Sequence, residues 1–341
     1  MLIYIGILLI CFTKIIFMKI FRIISMICLS GLVFSCQETE NVVDENLGSL
    51  ESEEIVFKGK KYEPLNLKTY SPNAKTQDSP YEIELYSVEY ITQKGSDQVG
   101  QTIIFSDRGS KKLSTDFSPV AKLALNGSTD ISYYVDQIYP GLDLDLATKE
   151  AAIDRAASTW ANVSCSDLGL FKVPAVTVPI GVIGFSEGYN YIPGYIADVN
   201  HAGWLPPAFF DEITPNGGQF ILGATFTLIL TSNGQPIDTN GDGKIDVAFR
   251  EIYYNDNFIW GDNDEDVAGF AAVDVESIAL HEMGHGLSQA HFGKAFLSKK
   301  GEYVFSPQAV MNAGYFGGYQ ADLKATDEAG HCSIWSNWSN K

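Results

Sequence analysis

Three of the five histidines in this 341-residue chain fall within residues 281–291, His-Glu-Met-Gly-His-Gly-Leu-Ser-Gln-Ala-His. His281 and His285 are four apart, so on a helix they share one face and stand about 6 Å apart along the axis. That separation lets both rings reach one zinc ion with bonds of about 2.0–2.1 Å. Glu282 is turned about 100° further round the helix, beside the metal and off the ligand face, where a general base for a metal-activated water would stand. His291 completes a three-histidine set if the chain reverses soon after His285, and the fourth position then stays open for water or substrate. The stretch therefore demands a helix, a turn and a returning chain in fixed succession.

The residues before it support the helix. Asp274 is placed to cap it, Glu276 sits in the first turn where the helix dipole favours an acid, and Val275, Ile278, Ala279 and Met283 form an apolar stripe at helical spacing. A bare H-E-x-x-H is common on exposed helices. The third histidine and the flanking pattern separate this stretch from that background.

Apolar residues make up 45% of the chain and charged residues 19%, which fits a packed globular protein and excludes a disordered one. The first 35 residues hold Lys14, Lys19 and Arg22 and no acid, so their removal takes the formal charge from −19 to −22. Such a surface repels nucleic acid. Met18-Lys19-Ile20-Phe21-Arg22, an apolar run to Phe34 and then Ser35-Cys36 look like a bacterial lipoprotein signal, with Met18 as the natural start and Cys36 as the lipidated residue. The expectation is an exported chain held at the outer membrane or cell surface by an N-terminal lipid. An uncleaved anchor and a soluble secreted form are the alternatives. After Cys36 only Cys165 and Cys332 remain, and in an exported protein two cysteines are expected to pair.

Residues 36–54 are acidic and polar and read as a tether. Residues 55–139 carry alternating segments, Tyr81–Thr92 and Gln101–Phe105 among them, which read as strands of a β-rich pro-segment or accessory region. From 140 to 341 the texture changes to an α+β domain. Leu146–Val163 reads as a helix burying Ile153, Ala157 and Trp160; Val173–Ile183, Phe220–Leu230 and Val247–Tyr254 read as strands; a last helical segment covers Asp322–Ile334.

With its three histidines and Glu282, the chain resembles the metzincin superfamily of zinc peptidases, whose pattern is H-E-x-x-H-x-x-G-x-x-H. Ser306-Pro307-Gln308-Ala309-Val310-Met311-Asn312 looks like the methionine turn that lies beneath the zinc in that superfamily. The segments AAIDRAASTW, VNHAGW, REIYYN and DEAGHC make it most similar to matrixins, and to their exported bacterial relatives. The likeness covers roughly residues 140–341. It implies a mixed, mostly parallel five-stranded sheet with three helices, zinc on His281, His285 and His291, catalysis by Glu282, and a protein or peptide substrate. Ser288 stands where the family has glycine, so serine must adopt a left-handed turn at a cost of about 1–2 kcal/mol, unless Gly286 breaks the helix earlier. Matrixin pro-segments often block zinc with a cysteine, and residues 37–164 contain none.

Other residues carry weaker signals. Asp238, Asn240, Asp242, Lys244 (through its carbonyl) and Asp246 have the spacing of a calcium loop, with Gly243 allowing the sharp turn; a plain turn between strands is the alternative. His201 and His331 read as hydrogen-bonded structural histidines, while Tyr315 and Tyr319 follow the methionine turn and are candidates to stabilise an oxyanion. Phe220–Leu230 reads as the sheet edge against which an extended substrate would lie. The expectation is a monomeric zinc endopeptidase. A non-catalytic adhesion lipoprotein on the same scaffold, and a zinc hydrolase of non-peptide amides or esters, are the competing readings.

Overall fold

The protein is seen in a computed structural model that describes residues 81–105, 115–119, 129–166, 168–262 and 272–338, and every structural statement refers to these. The signal segment, Cys36 and the tether lie outside them.

The residues that the sequence pattern marks as apolar and β-branched assemble one mixed sheet of nine strands. In chain order these are β1 (Glu82–Thr92), β2 (Thr102–Ile104), β3 (Thr115–Asp116), β4 (Ile131–Val135), β5 (Leu170–Lys172), β6 (Val199–Leu205), β7 (Ile221–Ser232), β8 (Gln235–Pro236) and β9 (Ile245–Asn255). Their order is β2-β1-β7-β9-β6-β4-β5, with β3 paired to β9 and β8 to β7. β9, β6, β4, β5 and β3 pair in parallel, whereas β7 is antiparallel to both β9 and β1.

Alternation along the strands buries both faces. Leu222, Val199, Ile252 and Tyr254 face one cluster with helices α1 (Leu146–Ala161) and α4 (Val275–Gly286). Ala224, Phe226 and Tyr253 face another with the short helices α2 (Val182–Ser186) and α3 (Pro207–Asp211). Asp145 caps α1 by accepting from the Thr148 amide at 3.0 Å. Ile153, Ala157 and Trp160 are buried as the helical spacing requires, and the Trp160 indole donates to the Leu280 carbonyl at 2.8 Å, tying α1 to α4. A fifth helix, α5 (Ala325–Trp335), closes the chain, and the Cys165–Cys332 disulfide joins it to the turn after α1. Outside the main sheet, β10 (Trp260–Gly261) pairs with β11 (Val273–Asp274), and β12 (Lys294–Leu297) with β13 (Tyr303–Ser306).

Four expectations are corrected. The sheet has nine strands, not five, and its pairings divide evenly between parallel and antiparallel. Five α-helices are present among the described residues, not three. No boundary falls at 139/140, because β1 and β4 enter the same sheet as β6, β7 and β9. The reason is burial: Leu85–Thr92 is buried on both faces of β1, which demands neighbours that a detached region lacks. Val173–Ile183 is not a strand. Pro174 and Pro179 remove ladder donors, and Gly181 opens α2.

Candidate metal centre

Helix α4 carries the centre, and its start is built as the sequence implies. Asp274 accepts from the Ser277 amide at 2.7 Å and from its hydroxyl at 2.5 Å, while Glu276 in the first turn pairs with Arg155 at 2.5 Å. The helix ends at Gly286. Ser288 then takes the left-handed conformation at φ 67°, so the serine makes the turn that the spacing requires. Its hydroxyl accepts from Arg250 on β9 at 3.0 Å, and the same guanidinium nitrogen holds the Gly286 carbonyl at 3.0 Å. Arg250 also donates to Thr227 on β7 and Thr115 on β3. Burial pulls its pKa down to about 10, against the opposing pull of Glu89 and Asp116.

The returning chain is fixed by the methionine turn. The Phe292 amide donates to the Met311 carbonyl at 2.8 Å, and the Asn312 side-chain amide donates to the Phe292 carbonyl at 2.7 Å. Asp327 on α5 receives the amides of Val310 and Met311, each at 3.0 Å. Met311 is buried directly beneath α4: a Cβ at Gly284 would lie 2.3 Å from its sulfur. Glycine at 284 is what lets helix and turn approach this closely.

These supports bring His281, His285 and His291 together. Their Nε2 atoms are 3.0, 3.2 and 3.3 Å apart. Three ligands at about 2.0–2.1 Å from a tetrahedral zinc would be about 3.3–3.4 Å from one another, so the triangle fits such an ion closely. His281 Nδ1 faces the Val310 carbonyl at 2.7 Å and His285 Nδ1 faces the Gln289 carbonyl at 2.8 Å. Each Nδ1–H is thereby committed to a carbonyl, and each Nε2 lone pair is turned to the shared point. Burial lowers the His281 pKa to about 4, and burial with the neighbouring rings holds His285 and His291 well below the ordinary value. Three neutral nitrogens this close repel unless a cation lies among them, and this is the one such cluster among the described residues. The donor set fits a divalent metal ion.

Glu282 lies against β7 with its side chain fully buried. Oε2 accepts from the Thr225 hydroxyl at 2.5 Å, while Oε1 has no partner. A Cβ on Gly223 would stand 3.0 Å from Glu282 Cγ and Oε1, so a side chain there would press on the carboxylate and shift it by a few tenths of an ångström. Burial raises its pKa well above the usual carboxylate value, opposed by the Thr225 hydroxyl.

The remaining candidates fall elsewhere. The calcium-loop residues do not gather as the histidines do. Asp238 receives the amides of Gly241, Asp242 and Gly243, Asp242 receives the Lys244 amide, and Asp246 receives that of Thr239. These amides take part of the acceptor capacity of the three carboxylates, and the Asn240 side-chain amide donates to Asp242. His201 is structural, its Nδ1 2.7 Å from the Tyr254 hydroxyl, and His331 stacks on Trp160 with Nε2 3.0 Å from the Ser166 hydroxyl. Tyr315 hydrogen-bonds Gly318 and Asp274, and Tyr319 hydrogen-bonds Glu276, so both hydroxyls serve the start of α4.

Phe220–Leu230 is not a free edge, because β1 pairs along β7. Thr225 and Arg250 were not found from sequence. The one local signal was Arg250-Glu251, two adjacent charges set between Val247-Ala248-Phe249 and Ile252-Tyr253-Tyr254. Comparison with known protein families and with curated proteins finds no match to this chain.

Proposed function

We propose that the chain is a zinc-dependent endopeptidase of metzincin type. The observation that carries this reading is the triangle of histidine Nε2 atoms with the unpartnered Glu282 oxygen beside it. His281, His285 and His291 would hold the zinc, which when bound lowers the pKa of a water and polarises the scissile carbonyl. Glu282 takes a proton from the attacking water and hands it to the departing amine. Thr225 keeps one carboxylate oxygen fixed and leaves the other for this exchange. The desolvated carboxylate has the raised proton affinity that a base working near neutral pH needs. Export and lipid anchoring, as read from residues 18–36, would place the activity outside the cytoplasm.

The competing reading, a binding lipoprotein on the same scaffold, is favoured by one observation: Glu282 is wholly buried and the β7 edge is covered. Metal analysis and cleavage of a broad protein and peptide panel, with Glu282→Gln alongside, decide between them. The endopeptidase binds one zinc per chain, and Glu282→Gln keeps the metal while losing about a hundredfold or more in turnover. A zinc-loaded chain that cleaves nothing in any state of β1 would overturn the reading.

A further inference from the structure

An extended peptide gains main-chain hydrogen bonds by adding to a sheet edge, and beside Glu282 that position is already filled by the chain itself. β1 runs antiparallel to β7 from the pair Glu82–Thr231 to the pair Thr92–Ile221. It thereby passes Gly223 and Thr225, the two β7 residues that touch Glu282. At its end β1 is gripped from the other side. Thr92 forms a parallel bridge with Gly314, its carbonyl receives the Tyr315 amide at 2.8 Å, and its hydroxyl donates to the Ala313 carbonyl at 3.3 Å. Residues 313–315 follow directly on the Met311 turn that supports His281. β1 is therefore held through its main chain on both sides, by β7 along its length and on the other side by β2 at residues 87–89 and by residues 313–315 at Thr92.

The side chains of β1 seat it on both faces of the sheet. Val88 and Tyr90 enter the cluster of Phe209, Phe210 and Phe226, while Ile91 joins the cluster under α4. Glu89 is buried close enough to feel the charges of both Arg250 and Glu282.

We propose that β1 is an intramolecular occupant of the peptide-binding edge, that the protein is latent while residues 82–92 remain there, and that its substrates are extended polypeptides that take the place of β1. The proposal rests on the endopeptidase reading and answers how latency is kept without a cysteine.

The test uses the zinc-loaded full chain in three forms. One is the wild type. A loosened form carries Val88→Ala and Tyr90→Ala. A locked form carries Ser87→Cys and Thr227→Cys, which stand directly opposite across β1 and β7. Single-cysteine variants under the same reductant control for Cys165–Cys332. Two readouts are taken: cleavage of a fluorogenic peptide library, and binding of a labelled synthetic peptide of sequence 82–92. The loosened form should cleave roughly tenfold or more faster than wild type in kcat/KM, and the oxidised lock roughly tenfold or more slower than its reduced form. The labelled peptide should bind the loosened form and not the oxidised lock. Equal cleavage by the oxidised and reduced lock would overturn the proposal, as would a loosened form with wild-type zinc content and circular dichroism that does not bind the peptide. A loosened form that binds the peptide but cleaves nothing would sink the endopeptidase reading while leaving β1 as the occupant.

Discussion

Gly284→Ala tests how tightly the Met311 turn and helix α4 are coupled. An alanine Cβ at 284 would lie 2.3 Å from Met311 Sδ, 3.0 Å from its Cε and 3.1 Å from Trp160 Cζ2. Carbon contacts are comfortable at about 3.5–4.0 Å, so the sulfur must retreat by more than about 1 Å into a site with Trp160 on its flank. Overpacking of this kind costs about 1–3 kcal/mol, offset by about 1 kcal/mol because alanine is the better helix former. The single variant should thus lose up to about 2 kcal/mol. Met311→Ala alone should lose about 2–5 kcal/mol through its cavity. In the double variant the new methyl occupies part of that cavity and meets no sulfur, so its loss should fall short of the sum by about 1 kcal/mol or more. Urea unfolding of the metal-free chain measures all four corners of the cycle. Additivity within about 0.5 kcal/mol would mean that Met311 and Gly284 do not share the contact, and the account of the turn as the support of α4 would fail.

Removing zinc with a chelator should lower the melting temperature: at free zinc about a thousandfold above Kd the ion adds about 4 kcal/mol, which corresponds to about 10 °C for a unit of this size, and an unchanged melting curve would refute the site. Ser288→Ala keeps the left-handed turn but loses the Arg250 bond, and should cost about 1–2 kcal/mol; Ser288→Gly loses the same bond but relieves the backbone, and should be near neutral in thermal unfolding. Cys165→Ser opens a loop closed across 167 residues and should cost about 5 kcal/mol in the chain-entropy account, read by denaturant titration. The His201 pKa is lowered by burial to about 3, so below pH 6.5 the unfolded chain binds a proton that the folded chain refuses. Its contribution is therefore fully present above pH 6.5 and is lost as pH falls towards 3, by up to about 4–5 kcal/mol; His201→Gln should flatten stability against pH in that window.

The centre was legible because its parts are local. Ligands four and six residues apart on a capped helix need only helix geometry and one turn, and Ser288 had to be left-handed for His291 to return at all. The Met311 turn could be placed for the same reason: one short loop carries both the sulfur and the carbonyl that His281 requires. The 238–246 loop shows the limit of spacing. Spacing says which carboxylates are near one another, but the direction of their lone pairs is also set by the loop's own amides, three of which donate to Asp238.

The neighbours of β7 were illegible for a different reason. A period of two reports which face of a strand is buried and says nothing about which strand lies beside it. The segment EIELYSVEYIT could be read as a strand, yet its partner lies 129 to 149 residues further along the chain (Thr92–Ile221 to Glu82–Thr231), and that pairing is a property of the whole sheet. One clue stood in the residues themselves. Ser87 and Glu89 are polar, yet both are buried on β1. A strand carries such groups inside only where compensation awaits them, and the positive charge of Arg250 on β9 lowers the cost of burying Glu89. Two buried charges of opposite sign on distant strands, each costly alone and tolerable together, are therefore the sequence trace of one sheet that takes in both β1 and β9.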